Sequence, residues 1–206
     1  MNVLNLFQED RISPMALARF AALFEQLNLP LGELQNMAQQ LQNSIKVITS
    51  GGASAVGAGA SEVALMPQRT EQLVWLGLSP HSLAVLQDHI TFLPEVTPVN
   101  LNTASAEVLS ASLPGLDMAS ARQAIALRQR QPWGSLEAAK KALGPAGNQI
   151  NEKQHSVKSR YFEVQGRMRI DNVVQQELSL MRRDGNQVRI LWRVKRPPQL
   201  LSTPLK

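Results

Sequence analysis

The sequence predicts an α+β protein with helices first and an antiparallel sheet last. Three observations predict it. Apolar residues recur at helical spacing from Leu17 to the neighbourhood of Pro145, and at a spacing of two from Phe162 onward. Asp184-Gly185-Asn186 supplies a hairpin turn within the second region. Charge changes at the same place: residues 1–150 carry nine Lys and Arg against eleven Asp and Glu, and residues 151–206 carry twelve against five.

The first helix starts at Ser13-Pro14, a capping hydroxyl followed by a proline where a missing N–H costs nothing, and Leu17, Phe20, Phe24 and Leu27 share its face. A second follows Pro30, with Leu34, Met37 or Ala38, Leu41 and Ile45 as its apolar stripe. Gly51 to Ser61 is almost wholly Gly, Ala and Ser, and reads as a flexible loop. It lacks the Gly-Lys-Ser/Thr ending of a phosphate-cradling loop. Thr70 to Leu93 predicts a short helix ending in Trp75, a Leu76-Gly77-Leu78 turn and a second helix from Ser79-Pro80. The same grammar returns from Asn102 to Gln131 around Leu113-Pro114-Gly115-Leu116, a weak repeat of one helical hairpin.

The sheet is expected as a meander of Tyr161 to Ile170, Val173 to Arg182 and Gln187 to Lys195. In its outer strands Phe162, Val164, Met168 and Ile170, then Val188, Ile190, Trp192 and Val194, form the apolar alternates. Arg196-Pro197-Pro198 is expected to end the pairing, since proline has no amide to donate. Arg167, Arg169, Arg189 and Arg193 fall on the polar alternates, so the basic tail reads as a solvated sheet face rather than a phosphate-binding stripe.

Composition closes several function classes. With no cysteine, disulfides, thiolate metal sites and thiol catalysis are excluded. His81, His89 and His155 lack metal-ligand spacing, and Asp88 beside His89 reads as a solvated helix face. No HExxH, GxSxG or paired-carboxylate arrangement occurs, so the expectation is no enzyme, no catalytic residue, no cofactor, no metal ligand and no small-molecule substrate. No run of about 18 apolar residues is present, and the chain reads as a soluble body with any anchor outside it.

Val99-Asn100-Leu101-Asn102-Thr103-Ala104-Ser105-Ala106-Glu107-Val108-Leu109, then Leu113-Pro114-Gly115-Leu116 and Ala121-Arg122-Gln123-Ala124-Ile125, resembles a helix-hairpin-helix (SAM-like) unit such as that of the DNA-uptake protein ComEA. Thr103 is the expected cap of the first helix, and Arg122, Arg128 and Arg130 lie on the second. DNA-binding hairpins place a second glycine where backbone amides meet a phosphate; this chain has Asp117, whose carboxylate would occupy those amides and repel the phosphate. Trp133 is the only aromatic nearby and is expected as a core plug. These points argue against nucleic acid, with a ComEA-like DNA-binding protein as the alternative.

A wider set of stretches resembles the K-type minor pseudopilins of type II secretion, often called GspK. They are Asn2-Val3-Leu4-Asn5-Leu6-Phe7, Gly59-Ala60-Ser61-Glu62, Glu71 through Leu78, Leu93-Pro94 with Val99 through Ala104, Arg128 through Trp133, and Ser159-Arg160-Tyr161-Phe162. The resemblance implies a pilin-like body beginning at 1–12 and an inserted helical domain at 13–150 with helix-hairpin-helix units at 70–93 and 99–145. It further implies a pilin-like antiparallel sheet at 151–196 and a tail at 197–206. It implies a periplasmic domain anchored in the inner membrane of a Gram-negative bacterium through an N-terminal helix absent from this chain. The implied partners are the I and J minor pseudopilins at the pseudopilus tip. Some relatives bind calcium, but here no Asp or Glu occurs from Leu34 to Ser61, which leaves too few carboxylates for the six to eight oxygens calcium takes.

Overall fold

A computed structural model describes residues 1–49, 65–170 and 173–200. The loop expected from Gly51 to Ser61 lies outside the described residues. Contacts divide the chain into two compact units, Met1–Val157 and Lys158–Lys206.

The first unit opens with a 3₁₀ turn at Val3–Leu6 and a hairpin of β1 (Phe7–Gln8) and β2 (Arg11–Ile12). Glu9 and Asp10 turn it with φ of 49° and 60°, the paired left-handed geometry of a two-residue hairpin. Helix α1 (Pro14–Gln26) is capped by Ser13, and α2 (Leu31–Thr49) buries Leu34, Met37, Ala38 and Leu41. A 3₁₀ helix at Thr70–Leu76 ends at Gly77, whose φ of 92° makes the turn into α3 (Pro80–Leu86), itself capped by Ser79. A side chain at Gly77 would also collide with Asn36 Nδ2, 2.2 Å from where its Cβ would stand. These elements close one apolar cluster around Phe20, Leu23, Phe24, Leu41, Leu73, Leu76 and Leu86.

A second cluster gathers Leu101, Leu109, Leu113, Leu116, Ala121, Ala124, Trp133, Leu143 and Ile150. It is built by β3 (Val99–Asn100), α4 (Ala106–Ser112), α5 (Met118–Arg130), α6 (Leu136–Leu143), a 3₁₀ turn at Gly144–Gln149 and β4 (His155–Ser156). Strands β3 and β4 pair in parallel, Val99 with His155 and Asn100 with Ser156. Helix α4 joins the clusters: Ala106 and Leu109 enter the second, Val108 and Ala111 the first. A seven-residue helix apolar on both sides owes its stability to that double burial rather than to its length.

The second unit is the meander β5 (Tyr161–Ile170), β6 (Val173–Asp184) and β7 (Gln187–Leu200), in that order in the sheet. Gly185 turns β6 into β7 with φ of 61°; it is the only residue of that turn with positive φ, which suits a glycine at the first turn position. Two sequence expectations are corrected here. Pairing does not stop at Pro197-Pro198: a register shift absorbs the region, and Val174 pairs with Gln199 and Val173 with Leu200. Nor do the apolar alternates of β7 share one face. Met181 pairs with Ile190 but Leu180 with Trp192, so Leu191 is an extra residue that reverses the alternation. Val188 and Ile190 therefore lie on the face of Phe162 and Val164, and Trp192 and Val194 on the other. Arg167, Arg169 and Arg189 keep one face, while the bulge carries Arg193 to the opposite one, where its Nε meets Glu177 Oε1 at 3.0 Å. All four arginines are exposed, as expected of solvated faces.

Candidate functional site: the helix-hairpin-helix segment

The segment after β3 is held by Asn102. Its Nδ2 donates to the Trp133 and Val157 carbonyls at 2.9 and 3.0 Å, and its Oδ1 accepts from the Trp133 amide at 3.0 Å. One amide side chain thus ties the entry of the hairpin to its exit and to the end of β4. Trp133 is buried, 8% exposed, and plugs the second cluster as expected.

The cap of α4 is Ser105, whose Oγ accepts from the Val108 amide at 3.3 Å, and not Thr103. Thr103 and Ala104 are still in the turn that returns to the Asn100 carbonyl, so their amides are committed before the helix begins. Ser105 Oγ also lies 2.9 Å from His89 Nδ1, and Glu107 stands 3.8 Å from the same nitrogen. Burial raises the Glu107 carboxyl pKa, but a backbone amide, the Ser105 hydroxyl and the nearby His89 and Arg122 outweigh it and leave the pKa lowered.

Leu113-Pro114-Gly115-Leu116 turns the chain, with Gly115 at φ 87°. Asp117 then caps α5: its Oδ1 accepts from the Ser120 amide and its Oδ2 from the Ser120 hydroxyl, both at 2.9 Å. Those two bonds, the amide first, hold the carboxyl below its usual pKa, so it is anionic at neutral pH. The amide donors that a phosphate would need at this helix start already serve a carboxylate.

Of the three arginines on α5, Arg122 and Arg130 are exposed, but Arg128 is buried and donates Nη1 to the Leu101 carbonyl and Nη2 to the Ala104 carbonyl. Burial lowers its pKa. The side chain ties α5 to the segment that leads into α4. The signal for this role was weak: Arg128 lies one helical turn beyond Ala124 and Ile125 and two beyond Ala121, on their apolar stripe.

The histidines do not converge. His81 is exposed, His89 faces Ser105 and Glu107, and His155, in β4, is buried. His155 Nδ1 accepts from the Asn151 amide at 3.2 Å. Burial first, then the charge of Arg19, lower its pKa to about 4. Arg19 in turn donates to Gln154 Oε1 at 2.8 Å. Among the described residues no three His, Asp or Glu side chains group as metal ligands, and no helix is long and apolar enough to cross a membrane. Asp88 is exposed, as expected.

Residues 99–158, the hairpin segment with β3 and β4, match the model of the family described as type II secretion system (T2SS), protein K. No curated protein sequence matches the chain. Among solved structures, it is similar to a chain in the crystal structure of the GspK-GspI-GspJ complex from the enterotoxigenic Escherichia coli type 2 secretion system. The TM-score is 0.63 at 19% identity, over 95% of this chain and 75% of that one. At that identity the likeness speaks for the fold, and it extends the agreement from the hairpin to both units. The hairpin segment thus carries the similarity to the type II secretion system protein K family, and the α+β fold of the chain is the one shared with that solved structure.

Proposed function

We propose that the chain is a non-enzymatic assembly subunit of the type II secretion pseudopilus, joining the I and J minor pseudopilins at its tip. On this reading 151–196 is the pilin-like sheet, the helical domain is an insertion into it, and the whole is a periplasmic body. The observation that carries the reading is the hairpin itself. It bears the family match, yet Asp117 fills its phosphate position and Arg128 is turned inward, so it is a structural module rather than a nucleic-acid reader. The structure similar to it was solved as a complex with two further pseudopilins, which supports the same partners here.

Mixing the chain with the periplasmic bodies of I and J from the same organism should give a defined heterocomplex by size exclusion with light scattering. Absence of a complex at tens of micromolar, where standard-sized interfaces are populated, overturns the reading. Duplex DNA should bind only weakly and lose affinity as salt rises. Submicromolar binding by the unaltered chain at physiological salt would revive the ComEA-like alternative, and Asp117→Gly, which removes the blocking carboxylate, should increase DNA binding if the hairpin is otherwise competent. A hydrolytic or transferase activity abolished by one substitution would end the non-enzymatic claim.

A further inference from the structure

The two outer strands of the sheet treat their open edges differently. Strand β7 is broken by a bulge at Leu191 and a second register shift around Pro197-Pro198, devices that stop another strand from adding to an edge. Strand β5 has none: ten residues pair with β6 in one unbroken register, from Tyr161 with Arg182 to Ile170 with Val173. Nine of those ten residues are exposed, including Phe162 at 41%, Val164 at 43%, Met168 at 58% and Ile170 at 61%. In the middle stands Gly166, where the register shows no bulge. That glycine lies mid-strand, between Val164 and Met168 on the same face.

The order of side chains along β5 names the occupant. Laid antiparallel against itself with Gly166 on the two-fold axis, the strand sets Phe162 against Ile170 and Val164 against Met168 on one face. On the other it sets Glu163 against Arg169 and Gln165 against Arg167. Every apolar residue meets an apolar one, and the single acidic residue meets a basic one, twice by symmetry. A shift of two residues either way brings Arg167 onto Arg167 or Ile170 onto Arg160, and a shift of one mixes the faces.

We infer that β5 is a self-complementary edge through which two copies of this chain join their three-stranded sheets into one antiparallel six-stranded sheet. The contact is isologous, so it closes at two copies. It stands apart from the pseudopilin reading, since loss of I and J binding would leave it intact.

Light scattering and sedimentation equilibrium on the 206-residue chain, from about 1 to 500 µM, should show a monomer–dimer equilibrium. Glu163→Arg and Arg169→Glu each place like charges opposite one another twice, and each should raise the dimer dissociation constant about tenfold or more. Mixed one to one, the two variants restore both opposite-charge pairs and should form a heterodimer that neither forms alone. Circular dichroism of each variant separates loss of association from loss of folding, because an unfolded variant could not give the rescue. Concentration-dependent hydrogen-exchange protection of the β5 amides is the second expected result. A wild-type chain that stays monomeric to 500 µM, a dimer indifferent to both substitutions, or β5 amides protected equally at all concentrations overturns the inference; the last would mean that the edge is covered by something other than a second copy.

Discussion

In the helical unit Leu41 and Phe24 are sealed to 0% and 1% exposure, whereas in the sheet Val164 keeps 43% and Ile190 keeps 49% although both sit within strands. The first unit closes two apolar clusters around capped helices. Among the described sheet residues only Val174, Ser179 and Leu180 are buried. Burying a large apolar side chain stabilises by about 1.5–3 kcal/mol, so the helical unit gains stability residue by residue. A three-stranded sheet with so few buried side chains among its described residues depends on its hydrogen-bond ladder and on cross-strand pairs such as Glu177 with Arg193, which are individually weak.

The largest expected effect tests that contrast directly. Phe24→Ala should lower the unfolding free energy by about 3–5 kcal/mol, and Val164→Ala at low micromolar concentration by no more than about 0.5 kcal/mol, both read from urea titrations. Equal losses would mean that the β5 face is covered in solution.

Next comes acid. His155 has a folded pKa of about 4 against an ordinary 6.5, so the unfolded chain takes up the proton first and stability falls as pH drops from 6.5 toward 4. The loss should reach roughly 2–3 kcal/mol at the acid end. Above pH 6.5 this group contributes no slope, and His155→Gln should flatten the acid limb for the helical unit alone.

A smaller pair sharpens the view of the hairpin. Ser105→Ala should cost about 1 kcal/mol through the lost cap, and Thr103→Ala should cost much less. The reverse order in thermal melts would put the cap back at Thr103. Smallest of all, millimolar calcium should move the melting temperature by less than about 2 °C, the shift that about 1 kcal/mol would give in a chain of this size. A larger rise, reversed by chelator, would reveal a calcium site held by oxygens other than clustered carboxylates.

What the sequence made legible follows from range. Ser13-Pro14, Gly77, Gly115 and the ten residues of β5 act through their immediate neighbours, and each stands where its local chemistry puts it. Asp117 also caps α5 from three residues away. The elements that escaped are settled across the chain. Asn102 finds partners 31 and 55 residues on, which no local pattern encodes. Strands β3 and β4 are two residues each, too short to show a period. The Leu191 bulge leaves the apparent alternation of β7 intact on paper while reversing it in space, because Leu191 is itself apolar.

The opening residues carry a consequence for the order of events when the chain folds. Val3 donates to the Thr91 carbonyl, Asn2 Nδ2 to the Glu95 carbonyl and Asn5 Nδ2 to the Thr97 carbonyl, and the Thr97 amide donates back to Asn5 Oδ1. Each of these contacts spans about ninety residues. During synthesis residues 2–5 therefore wait, without these partners, until Thr97 has followed, and Arg19 waits longer still for Gln154. Helices α1 and α2 can form early from local contacts, but the ends of the unit are fastened late. Residues 2–5 are among the last of this unit to be fixed, and pulse-labelling should find the amides of Val3 and Thr97 protected together, after those within α2.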